Sequence, residues 1–123
     1  MTPIAIGMGA VLGSLSRYYI TVLLARRLGT RFPYGTFVIN LSGSLLMGFL
    51  AALALGKIMS PHLQLLLMTG FLGSYTTFST YALDTANLAR SQSRTVALLY
   101  WASSAIGGGL CVAIGAGLAR WLL

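Results

Sequence analysis

Acid is what this chain of 123 residues has least of: Asp84 is its single carboxylate side chain, set against eight Lys and Arg. Histidine and cysteine also occur once each, as His62 and Cys111. Hydrolytic, metal-assisted and general acid/base chemistry need at least two cooperating titratable or ligating side chains at close range, so the chain reads as a non-enzyme. A lone cysteine closes no internal disulfide, which leaves the redox compartment open. His62 follows Ser60 and Pro61 and reads as a turn residue at a membrane surface. Cys111 reads as a small packing residue in an apolar run. Charge of either sign is scarce, with 7% of residues charged, 57% hydrophobic and a mean hydropathy of +0.85. A soluble domain carries roughly 25% charged residues, so this chain cannot cover a water-facing surface and must be an integral membrane protein. The formal charge of +7 does not point to nucleic acid. The basic residues sit where apolar segments end, rather than on an aromatic-studded patch.

Four apolar stretches, at about 4–25, 34–56, 63–83 and 95–119, can each supply the ~20 residues that cross a bilayer. The connections between them are short, charged and turn-rich, which makes successive spans antiparallel neighbours in one domain covering 1–123. The first stretch lacks a basic leader and carries Arg17 within it, so it reads as a retained helix and not a cleaved signal. No repeat or low-complexity segment interrupts the pattern. The connections joining spans one to two and three to four hold Arg26, Arg27, Arg31, Arg90 and Arg94, five basic residues against Lys57 and Arg120 on the opposite side. This bias favours both termini outside, with Arg17 as a possible offset.

Each span carries small or polar residues at helical spacing, as expected where backbones approach closely. These are Gly9, Gly13 and Arg17 on the first; Thr36, Asn40, Ser44 and Gly48 on the second; and Tyr100, Ser104 and Gly108 on the fourth. Helix packing accounts for the glycines and most serines but not for Asn40 or Arg17. The Asn40 amide needs either an interhelical hydrogen bond or a polar path to line. Arg17 costs ~2.5–3.5 kcal/mol at a helix centre, less if it snorkels, and puts fixed positive charge near a mouth or vestibule where anions gather.

The third span holds the densest polar signal, GFLGSYTTFSTY at 70–81. Gly70 and Gly73 weaken the helix where Ser74, Tyr75, Thr76 and Thr77 begin, so a break near mid-membrane is expected, freeing backbone groups that can coordinate ions. Beyond it, Thr77, Thr80, Tyr81 and Asp84 fall at i, i+3, i+4 and i+7 on one helical face. Aromatic rings carry positive edges. Edge-on phenylalanines beside hydroxyl and amide donors therefore suit a small anion stripped of its water, and carboxylates along the way would repel it.

These residues resemble a known family, the small bacterial fluoride channels called Fluc or CrcB. The matching blocks are GAVLGSLSRY at 9–18, YGTFVINLSGSLLMG at 34–48 and the third-span run at 70–81. Together with the four spans they cover nearly the whole chain. The resemblance implies an all-α membrane protein whose third helix is broken, assembled as an antiparallel, dual-topology dimer in the bacterial inner membrane. It further implies two fluoride pores and a sodium ion at the dimer centre, held by backbone carbonyls matching Gly73 and Thr76. It makes Asn40, Phe78, Ser79, Thr80, Tyr81, Tyr100 and Ser104 the pore residues and Arg17 the vestibule arginine. The implied activity is passive fluoride export that lowers cytoplasmic fluoride and confers resistance to it. Tyr81 stands where the family usually has a second phenylalanine. The five-to-two basic bias keeps a heterodimer with an oppositely oriented paralogue open beside the homodimer. Two other readings compete. A proton-coupled multidrug exporter, also a four-helix dimer, needs a membrane carboxylate, for which Asp84 is the one candidate. A structural membrane subunit needs the glycine-rich faces alone.

Overall fold

The computed structural model describes residues 2–76 and 78–122, the side chains of Thr2 and Ser79 excepted. Among the described residues every regular element is helical: α1 Thr2–Leu28, α2 Tyr34–Leu55, α3 Pro61–Gln64, a π-helical segment Leu65–Leu72, α4 Gly73–Tyr75, α5 Phe78–Ser91 and α6 Arg94–Leu122. Three helices are long and apolar enough to cross a membrane, Pro3–Leu28, Tyr34–Leu55 and Arg94–Leu122. The 22 residues of α2 alone span about 33 Å at 1.5 Å per residue. The protein is therefore a multi-pass membrane protein.

Local chemistry sets the ends of these helices. Gly29, at φ 87°, ends α1 by returning its N–H to the Ala25 carbonyl, a left-handed exit that costs glycine little. Ser60 caps α3 through its hydroxyl to the Leu63 N–H, with Pro61 in the first turn where a missing N–H does no harm. Ser93 caps α6 in the same way through the Val96 N–H at 3.1 Å.

Two helix pairs dominate the packing, α2 on α6 and α1 on the π-helical segment. Lipid tails are as apolar as leucine, so close backbone approach rather than the hydrophobic effect holds such pairs together. A Cβ on Gly48 would land on the Val112 carbonyl, and one on Gly115 would land on the Leu45 carbonyl. The glycine faces of α2 and α6 therefore fit one another reciprocally. On α1, Gly9 and Gly13 press on the backbone at Leu66 and Phe71 in the same manner.

The third span does break, though not at its glycines. Gly70 lies against the Ile6 carbonyl of α1 and serves close approach. Over Leu65–Leu72 the helix widens to π geometry, and the Ser74 hydroxyl stands 2.9 Å from the Gly70 carbonyl, 2.9 Å from that of Ala10 and 3.1 Å from that of Phe71. The interruption falls one turn later, where Thr76 is extended at φ −85°, ψ 148°. Its N–H and hydroxyl both turn back to the Leu72 carbonyl, at 3.0 and 2.9 Å.

Candidate functional site

The break aims α5 across the face of α6. Tyr81 and Leu88 on α5 pack with Ala97 and Tyr100 on α6, and Phe32 and Phe37 close the cluster. The result is a row of rings. Phe78 meets Tyr81 edge-on at 5.9 Å, Tyr81 meets Tyr100 at 5.4 Å, and Tyr100 meets Phe32 edge-on at 5.3 Å.

Beside this row lies a cavity of about 430 Å³ walled by α2, the break and α6. Asn40 and Ser44 face it from α2, Thr76, Phe78 and Tyr81 from the broken span, and Ser104 and Gly108 from α6. Four residues singled out in the sequence as pore residues, Asn40, Phe78, Tyr81 and Ser104, thus share one space. Among the described residues no carboxylate lines it. Tyr100, one helical turn before Ser104, is sealed at 1% exposure. The hydroxyls of Tyr100 and Ser104 are buried and, among the described residues, have no hydrogen-bond partner. A buried hydroxyl left unmatched costs ~1–3 kcal/mol, so two of them on one face of α6 constitute a stored demand for an acceptor.

Tyr81 meets its own demand differently. Its hydroxyl donates to the Trp101 carbonyl at 2.5 Å, which fastens α5 to α6 and withdraws the phenolic proton from the cavity. No sequence pattern signals this bond, because its acceptor is a backbone atom on another helix. Phe78, by contrast, is 78% exposed.

Thr80 and Arg17 lie elsewhere. They line a second polar crevice between α1, α2 and α5, of about 280 Å³, together with Ser14, Thr21 and Thr36. A neighbouring hollow of about 210 Å³ shares Thr21, Thr36 and Thr80 and adds Asp84. The helix α5 therefore divides the expected site in two, with hydroxyls, an amide and rings on one side and the charged residues on the other. Gly73 is exposed, and a Cβ there would meet nothing nearer than the Met68 carbonyl at 3.9 Å. Thr77 and the Ser79 side chain, both expected near the site, lie outside the described residues.

Comparison with known proteins bears on this arrangement. The profile of the family described as CrcB-like protein, Camphor Resistance (CrcB), matches residues 4–116. A protein of Trichormus variabilis named fluoride-specific ion channel FluC is 51% identical over 120 residues, 96% of this chain and 88% of that protein. Relatives of the same name from Synechococcus sp. and Synechocystis sp. are each 48% identical, over 96% and 98% of this chain and 92% and 94% of their own lengths.

Proposed function

This chain belongs to the CrcB-like family, and from that premise we propose that it is a passive, fluoride-selective channel that lets fluoride leave the cell and so lowers its cytoplasmic concentration. The observation that carries this reading is the buried Ser104 hydroxyl, which lines the cavity that also holds Asn40 and, like the Tyr100 hydroxyl one turn before it, has no hydrogen-bond partner among the described residues. An anion entering from water loses its hydration shell and must be repaid in donors. Hydroxyl and amide N–H groups supply them, and the edges of Phe78 and Tyr81 add a weaker attraction for negative charge. The absence of carboxylates on the cavity wall, among the described residues, removes the main repulsion. Conduction so arranged needs no chemical step. The multidrug-exporter reading is not favoured, because Asp84 lines a separate hollow on the other side of α5 and not the cavity that holds Asn40.

We further propose that the working unit is an antiparallel dimer of four-span subunits in the bacterial inner membrane. The 14 residues of α5 reach about 21 Å, short of the ~30 Å hydrocarbon core, so the third span crosses with both its arms together. Its break leaves extended backbone at Thr76, and polar backbone is tolerated at membrane depth where protein covers it or where it lines a water-filled cavity. A second, inverted copy would supply that cover and would surround the exposed Phe78 ring. A homodimer and a pair with an oppositely oriented paralogue both satisfy this requirement.

The donor set at the break also fits a sodium ion. Thr76 is extended at the break and Gly73, three residues before it, is exposed, and hard cations take backbone carbonyl oxygens as ligands. Carbonyls of Gly73 and Thr76 from each subunit would hold the ion, whose charge would offset the carbonyl dipoles meeting at the dimer centre.

Purified protein in liposomes under an outward fluoride gradient is expected to release fluoride, read with an ion-selective electrode. Release no faster than from empty vesicles ends the channel reading.

A further inference from the structure

Charge is distributed unevenly along the molecule. Arg26 and Arg27 close α1, Arg31 lies in the connection to α2, Arg90 closes α5 and Arg94 opens α6, and all five are exposed. The side-chain amide of Gln92 donates to the Arg31 carbonyl, which ties the α1–α2 connection to the α5–α6 connection and gathers the five guanidinium groups onto one end. Neither connection contains a carboxylate. The single acid, Asp84, is half-buried against Thr36.

Two features go beyond ordinary membrane flanking. Every basic residue at this end is arginine, whose planar fork matches phosphate oxygens two at a time, while the one lysine, Lys57, lies at the opposite end. Arg94 is the first residue of α6, a 29-residue helix whose positive dipole end disfavours a cation. An anion seated there would relieve that repulsion and add to the Ser93 cap, which answers the Val96 N–H alone through its hydroxyl. The rings flanking this end suit the headgroup layer: Tyr34 begins α2 beside the arginines, and Trp101 is half-exposed two turns further along α6.

The geometry points to an anionic-phospholipid site at this end of the subunit: Arg26, Arg27, Arg31, Arg90 and Arg94 engage lipid phosphodiesters, one of them at the N-terminus of α6. The site depends on the membrane embedding of the chain and not on which ion the protein conducts.

Native mass spectrometry of the purified assembly, loaded from mixed micelles of phosphatidylglycerol and phosphatidylcholine, tests this directly. Wild-type protein is expected to retain phosphatidylglycerol in preference, and Arg27→Gln/Arg31→Gln to weaken retention by roughly five-fold per arginine removed. Lys57→Gln/Arg120→Gln at the opposite end is expected to leave it unchanged, and Arg27→Lys/Arg31→Lys to restore it in part. Equal retention of the two lipids by wild type overturns the assignment by itself, even if the double variant fails to fold. So does equal weakening by both Gln double variants, which would mark nonspecific charge attraction. Inorganic phosphate displacing phosphatidylglycerol at equal concentration would identify a free-phosphate site and likewise overturn it.

Discussion

The two polar spaces on either side of α5 are built from similar side chains and offer opposite environments. On the α6 side, Asn40, Ser104 and the Phe78–Tyr81 ring pair line a space in which the buried Ser104 hydroxyl has no partner among the described residues. On the α1 side, Thr21, Thr36 and Thr80 line two neighbouring hollows, one shared with Arg17 and the other with Asp84. What distinguishes the first space is the buried Ser104 hydroxyl, which has no partner among the described residues, together with a described lining that holds no charged side chain.

Four substitutions test this contrast. Phe78→Ile removes a largely exposed ring, so assembly of the proposed dimer, read by size-exclusion chromatography, should persist. Fluoride efflux should fall by about a hundredfold, ~3 kcal/mol on the barrier. A smaller fall, roughly tenfold, is expected for Ser104→Ala, together with unchanged or raised thermal stability, because the substitution deletes a buried group that has no partner among the described residues. Loss of stability without loss of flux would show that Ser104 already has a partner in the assembly. Asp84→Asn, in the other crevice, should keep efflux within about two-fold of wild type; complete loss would revive the proton-coupled exporter. Least affected is Tyr81→Phe, which removes the bond to the Trp101 carbonyl and should lower stability by ~1 kcal/mol while retaining efflux. Abolished efflux in that variant would make the phenolic hydroxyl a direct ligand of the ion.

Much of this was legible before any coordinates. The apolar runs gave three of the four expected spans as single long helices and the third as a broken one. The helical spacing of Asn40 with Ser44 and of Ser104 with Gly108 placed both pairs on faces that do meet across one cavity. Other details were not legible. The π-helical stretch Leu65–Leu72 carries no sequence mark, since its residues suit an ordinary α-helix, and what accompanies it is the close approach of α1 at Gly9 and Gly13. Thr80 and Tyr81, adjacent in sequence, open to different spaces because successive residues on a helix point about 100° apart and α5 separates the two crevices. The mate of the Tyr81 hydroxyl is a carbonyl twenty residues away, beyond any local pattern.

Composition by itself determined that this protein lives in lipid, since a chain with 7% charged residues has no means of facing water over its whole surface. It also determined that anions meet little repulsion, because a single carboxylate is available to oppose them. Which donors end up without acceptors was decided by the tertiary structure alone. That outcome depends on how α2, α5 and α6 are rotated about their axes, and the rotation is fixed where Gly48 and Gly115 let backbones touch and where Thr76 lets the third span turn.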